Sequence, residues 1–273
     1  MKKNINNSPY PNGPQPGTPG PEDPKQKKKR LIERILFVLC LVVFIVSAVK
    51  IGMHLITGYS IKEESSKLTK EYVKPSSDKD GYQVDFDKLL AQNPDTVAWV
   101  DIPGTSISYP VVYKADDNEY YLRRSFEGKD SIAGCIFLDG DNKPDFSDNV
   151  NFIFGHNVDT SLTYGERTFF TALDEYEDKA FFDAHRKVNL TTKDGTYHEY
   201  EVLAVLSVPE TTPLYQTKFD DKEQFQAWID MMHQETGLKD SPLTTDSNIL
   251  ILATCQRAEA YTTERRLLFC YRK

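Results

Sequence analysis

Cysteine and histidine are scarce in this 273-residue chain, and the way they are spread excludes several kinds of chemistry. Four cysteines, Cys40, Cys135, Cys255 and Cys270, stand at irregular intervals and make neither a CxxC pair nor a disulfide framework. The five histidines are scattered and form no HExxH, so no metal or other cofactor is expected. A glycine-rich phosphate loop is missing too; GTSISYP at Gly104 reads as a turn. Basic charge is lacking where nucleic acid would need it. Residues 1–57 hold nine Lys/Arg against three Asp/Glu, a net of +6, and the total of −8 therefore leaves −14 on residues 58–273. A globular part that acidic argues against a nucleic-acid partner.

The basic end has a different explanation. Met1 to Pro24 carries seven prolines from Pro9 onward and cannot bury a core, so disorder is expected there. Lys25 to Arg34 is a cationic cluster, and Ile35 to Val49 follows with no charge and only Ser47 plainly polar. Lys50 interrupts, and IGMHLITG extends the run to adequate length if the Lys50 ammonium snorkels to the interface. Residues 1–34 thus read as a cytoplasmic tail and 35–57 as an uncleaved signal anchor, the basic flank staying inside. The alternative is a cleaved signal peptide ending near Val46-Ser47-Ala48. Residues 58–84 are polar and read as a solvated extracellular stalk with some helical character.

Residues 85–273 read as the globular domain. Short strands are expected over Thr96–Ile102, Ser108–Tyr113, Ile132–Leu138, Asn149–Phe154, Lys187–Thr191, Tyr197–Val208, Asn248–Ala253 and Arg265–Tyr271, with a hairpin turn at Lys193-Asp194-Gly195. Helices are expected over Val84–Gln92, Thr168–Tyr176 and Lys222–Gln234, the last inside a long insertion before the penultimate strand. Their aromatic and Met positions read as core-facing stripes. Eight short strands with sparse helices indicate a mainly β closed barrel or sandwich.

Three strand ends carry chemistry. Ile249 to Ala253 is apolar and stops at Thr254-Cys255, Val150 to Phe154 ends in Gly155-His156-Asn157, and the last strand opens on Arg265-Arg266. A lone cysteine or histidine is more often structural. Cys, His and Arg together, each at a strand end, suit a nucleophile, an acid/base and an oxyanion donor.

The motifs LATC (Leu252–Cys255), FGHN (Phe154–Asn157) and RRLLF (Arg265–Phe269) resemble those of the sortases, cysteine transpeptidases that attach exported proteins to the Gram-positive cell wall. DIPGTSISYPVV (Asp101–Val112), DNEYYL (Asp117–Leu122), GCIFLD (Gly134–Asp139) and the helix-bearing insertion look like class B. The resemblance implies a closed eight-stranded sortase-type barrel preceded by one transmembrane helix, with catalytic residues Cys255, His156 and Arg266. Arg266, rather than its neighbour Arg265, aligns with the family position when the following strand is matched, and adjacent strand residues point to opposite faces. It further implies substrate contacts at Asn118, Leu122, Thr211, Tyr215, Thr254 and Gln256. Ala253 and Cys135 stand where the family often has serine.

The implied activity is cleavage of an NPxTx- or (S/P)PxTG-like sorting signal after threonine through a thioester, then transfer to a cell-wall peptide amine. The partners would be signal-bearing surface proteins, a peptidoglycan-type amine and the membrane, with no nucleic acid. A pilin-polymerising sortase and a plain cysteine peptidase share every residue up to the thioester. A non-enzymatic tethered β-domain would leave Cys255 structural.

Overall fold

The computed structural model describes residues 24–75, 82–115, 117–131, 133–157, 168–238, 240–255 and 264–273. The chain divides into two units, Met1–His54 and Leu55–Lys273. Helix α1 (Pro24–Tyr72) contributes to both. Within the first unit its apolar residues face outward all round, Phe37 and Phe44 being 68% and 70% exposed. Pro24–Met53 is long and apolar enough to cross a membrane.

In the second unit the elements are β1 (Val73–Pro75), β2 (Tyr82–Val84), α2 (Phe86–Gln92), β3 (Thr96–Asp101), β4 (Ser108–Tyr113), β5 (Phe137–Leu138), β6 (Val150–Gly155), α3 (Lys179–Ala184), β7 (Lys187–Thr192), β8 (Tyr197–Pro209), α4 (Lys222–Thr236), β9 (Ile249–Cys255) and β10 (Glu264–Arg272). Among the described residues there are also two 3-10 helices, Tyr120–Arg123 and Phe169–Glu177. Strands β3 to β10 close into a barrel in the order β10-β8-β7-β3-β4-β5-β6-β9. Closure leaves no edge strand, which resolves the choice between barrel and sandwich. The pairs β4–β5 and β6–β9 are parallel; the other pairs are antiparallel.

Two apolar clusters lie on opposite faces of the β6–β9–β10 wall. Along β9, Leu250 and Leu252 enter the barrel core, while Ile249, Ile251 and Ala253 join a flank cluster with α4. The same alternation runs through β6 (Ile153 against Val150 and Phe152) and β10 (Leu268 and Cys270 against Leu267 and Phe269). Helix α4 supplies the flank with Phe225, Trp228, Ile229 and Met232, each burial worth about 1.5–3 kcal/mol. Asp221 caps its start by accepting from Gln224 N–H at 2.8 Å, and Gly237 ends it in the left-handed conformation (φ 70°).

Two expectations need correction. The fifth strand shrinks from Ile132–Leu138 to Phe137–Leu138. Before it the chain is committed elsewhere: Gly134 turns left-handed (φ 61°), and Cys135 N–H donates to the Tyr121 carbonyl at 3.0 Å. The solvated stalk also fails near its end. Leu68 and Tyr72 are each 5% exposed and belong to the barrel core, with Tyr72 packed edge-on to Phe126. Thr69 donates its hydroxyl to the Ser108 carbonyl, and β1 pairs with β2. These apolar side chains are too few and too widely spaced in the polar segment to show a helical stripe.

If the end of α1 is part of the domain, Leu68→Ala should cost about 2–5 kcal/mol, the usual range for a buried leucine. Urea denaturation of the domain should show the loss. An unchanged midpoint would mean that the helix end is not part of the folded unit.

Candidate active site

Strands β6, β9 and β10 are neighbours, and their register brings the three chemically interesting ends together. β6 and β9 run parallel with Gly155 opposite Thr254. One residue further on, His156 follows Gly155 and Cys255 follows Thr254. Across the other side of β9, Cys255 pairs with Arg265 and Thr254 with Arg266. Cross-strand partners share a face of the sheet. Positions 156, 255 and 265 therefore continue the flank face, and positions 157, 254 and 266 continue the barrel-core face.

This parity separates the two arginines. Arg266 is 6% exposed on the core face, with Nε 3.0 Å from Asp174 Oδ1 and Nη1 2.7 Å from Glu177 Oε1. Arg265 stands opposite Cys255, and its charge acts on His156. Its Nη2 is held 2.9 Å from Glu210 Oε2, at the start of the insertion. A guanidinium has five N–H donors, so this contact leaves others for a developing oxyanion. Alternation along β10 was hidden in the sequence because Leu267, Leu268, Phe269 and Cys270 are all buried, on both faces.

His156 is half-buried, with Nε2 2.7 Å from the Leu122 carbonyl. A carbonyl only accepts, so Nε2 carries the proton and Nδ1 holds the lone pair in the neutral ring. Burial lowers the imidazole pKa from its ordinary 6.5; the Leu122 bond opposes this, and the charges of Arg123 and Arg265 reinforce it. Gly134 makes the contact possible. A Cβ there would lie 2.6 and 2.8 Å from the Tyr121 and Leu122 carbonyls and 3.0 Å from His156 Cδ2. Gly134 appeared in the sequence only as the start of GCIFLD and Arg123 not at all, since both act through a fold contact.

The expected substrate residues divide. Leu122 is half-buried and lends its carbonyl to His156. Tyr215, from the insertion, lies tilted against Phe152 at 5.3 Å and stacks on Phe154 at 6.1 Å, the flank-face residues leading up to His156. Thr211 is exposed beside Glu210. Asn118 is exposed, yet its amide already donates to Asp139 at 3.0 Å and its carbonyl accepts from Gly140 N–H. Thr254 is corrected: it is 1% exposed with core-face parity, which takes its side chain away from the face shared by 156, 255 and 265. Gln256 lies outside the described residues. Burial pushes the Cys270 thiol pKa well up, and Cys135 is 4% exposed, so neither is suited to be a nucleophile. Among the described residues no cluster of His, Cys, Asp or Glu could hold a metal.

The lowered His156 pKa has a measurable sign. As pH falls, the unfolded chain takes up its proton first, near 6.5, so His156 withdraws stability on acidification until its folded pKa is passed. An NMR titration should place the His156 midpoint below 6.5, with the Nε2-protonated tautomer above it. A midpoint above 6.5 would contradict this picture of the site.

Comparison with known proteins agrees with the fold. The sortase domain profile matches residues 100–272, more than half of the chain. Sortase B of Staphylococcus aureus is 27% identical over 236 residues, covering 85% of this chain and 92% of that protein. Sortase B of Listeria monocytogenes is 27% identical over 249 residues, covering 89% and 97%. Among solved structures, the Staphylococcus aureus sortase B-substrate complex superposes with a TM-score of 0.61 at 24% identity, over 79% of this chain and 94% of that one. Clostridium perfringens sortase B gives 0.60 at 25% identity, over 68% and 98%. A closed eight-stranded barrel, a helix-bearing insertion on its flank and a match to the sortase domain over most of the barrel lead to one assignment: this chain belongs to the sortase family of cysteine transpeptidases and is similar to class B sortases.

Proposed function

We propose that this sortase is a membrane-anchored enzyme that cuts an NPxTx- or (S/P)PxTG-like sorting signal after threonine and joins the protein to a cell-wall peptide amine. The observation that carries the reading is the register of β6, β9 and β10, in which His156, Cys255 and Arg265 fall on one face. In this scheme the Cys255 thiol gives its proton to His156 Nδ1 as sulfur attacks the threonine carbonyl. Arg265, in place of Arg266, offers N–H donors to the tetrahedral oxyanion, a contribution of about 3–4 kcal/mol for one donor. Collapse breaks the C–N bond, and the imidazolium protonates the departing amine. His156 then takes a proton from the acceptor amine, which attacks the thioester and releases Cys255.

Substrate contact is assigned to Leu122, whose carbonyl meets His156, to Tyr215 on the flank cluster and to Thr211 beside Glu210, with Gln256 following the nucleophile. Asn118 would contribute only by exchanging its bonds to Asp139 and Gly140. The NPxTx-type signal comes from the class B likeness, and one similar structure is a sortase B-substrate complex. The apolar helix within Pro24–Met53, preceded by basic residues, supports an anchor with its N-terminus in the cytoplasm and the barrel outside.

Two experiments test these statements. With a fluorescent sorting peptide, the protein should cleave slowly in water and form an amide when a suitable amine is supplied. Cys255→Ala and His156→Ala should abolish turnover, and Arg265→Ala should lower kcat roughly 10²–10³-fold at unchanged Tm. Cleavage without amine incorporation would indicate a peptidase, acceptance only of a pilin lysine a polymerase, and activity in Cys255→Ala would sink the site assignment. Separately, protease added to intact protoplasts should digest the barrel while protecting an N-terminal epitope. A soluble mature protein beginning after Ala48 would show that the anchor is cleaved.

A further inference from the structure

Behind the catalytic face, one residue out of phase with it, lies a buried polar tie. Asn157 follows His156, Thr254 precedes Cys255, and Arg266 follows Arg265. Asn157 and Arg266 are 7% and 6% exposed, and both reach the same carboxylate, that of Asp174 in the 3-10 helix Phe169–Glu177. Asp174 Oδ2 accepts from Asn157 Nδ2 at 2.9 Å, while Oδ1 lies 3.0 Å from Arg266 Nε. Asp174 thereby spans β9, joining the end of β6 to the start of β10 from below. The same 3-10 helix grips the histidine directly, since Phe170 N–H donates to the His156 carbonyl at 3.4 Å.

A surface ion pair would not merit this attention, because exposed pairs contribute little. Here one oxygen of a single carboxylate accepts a hydrogen bond and the other lies in ion-pair contact, without hydrogen-bond geometry to Nε, and its two partners are nearly excluded from water. The second carboxylate on Arg266, Glu177, is 66% exposed and serves as a control for charge alone. A residue held within a buried charged network moves as part of it, and small displacements of reacting groups are costly: a 1 Å misplacement can lose about 10²-fold in rate.

We infer that Asp174 is a positioning residue for the transpeptidation reaction, setting the separation of His156 and Arg265 on either side of Cys255 through Asn157 and Arg266. This rests on the acyl-transfer reading above. It gives Arg266 a role one layer beneath the site, and it touches neither substrate nor thioester.

The test uses the full chain. Asp174→Asn keeps the size of the side chain, removes its charge and cannot serve both partners as before. At a temperature well below Tm, kcat for peptide cleavage should fall about 10-fold or more with KM changed less than about 2-fold. Glu177→Gln should stay within about 2-fold of the parent in both constants, as screening at an exposed group predicts. The His156 NMR midpoint should also move down in Asp174→Asn, because the change removes a carboxylate charge bound to Asn157, the residue next to His156. Unchanged kcat in folded Asp174→Asn overturns the inference, and so does a fall in activity that merely tracks the unfolded fraction. If that variant does not fold, Asn157→Ala, which spares the Arg266–Asp174 pair, should lower kcat about 5-fold or more at unchanged KM; no loss overturns the inference. Failure of the acyl-transfer reading looks different: the parent protein would not cleave, or Cys255→Ala would. The His156 midpoint in Asp174→Asn would then decide, an unmoved midpoint being the overturning result.

Discussion

The register of three adjacent strands is the constraint on which the rest of this protein depends. β9 runs between β6, its parallel neighbour, and β10, its antiparallel one, and all three end or begin at the same rim. Because side chains alternate, a shift of one residue in either pairing would exchange every flank residue for a core residue. The shift is prevented by burial on both sides. Leu250, Leu252, Leu268 and Cys270 fill the barrel, while Ile251, Phe152, Leu267 and Phe269 fill the cluster beneath α4. The register that satisfies both clusters is also the one that aligns positions 156, 255 and 265.

Each layer around this wall can be understood by what it does for the rim. The insertion between β8 and β9 covers the flank with Phe225, Trp228, Ile229 and Met232, and it lays Tyr215 over Phe152 and Phe154 just short of His156. The loop around Gly134 lets the Tyr120–Arg123 turn approach closely enough for the Leu122 carbonyl to select the imidazole tautomer. The 3-10 helix Phe169–Glu177 works from the opposite side through Asp174 and Phe170. The histidine is held from above by a carbonyl and from below by a carboxylate acting through its neighbour. That arrangement suits the acid/base role proposed for the ring, in which it changes protonation state without changing place.

The two arginines show how adjacent, chemically identical residues acquire different duties. Arg265 is a quarter exposed, pairs with Glu210 at the start of the insertion, and stands across from Cys255. Arg266 is buried and neutralised by two carboxylates. A buried guanidinium without such partners would be expensive, so the Asp174–Arg266 contact is a condition for placing a charge there at all.

Sequence by itself determined the broad outline. Composition and charge argued against metal and nucleic-acid chemistry, the strand count and KDG turn indicated a β-rich domain, and apolar runs ending in Cys, His and Arg marked three strand ends. These features are local, written in residue type and spacing, and the LATC and FGHN motifs added the sortase likeness. Tertiary structure decided what depends on partners distant in the chain. It chose Arg265 over Arg266 as the neighbour of Cys255, because β10 is apolar on both faces and its sequence shows no alternation to read. It turned Thr254 inward, brought Leu68 and Tyr72 into the core, and gave Asp174 its two buried partners. None of these could be read along the chain, since each follows from which strands and helices become neighbours once the barrel closes.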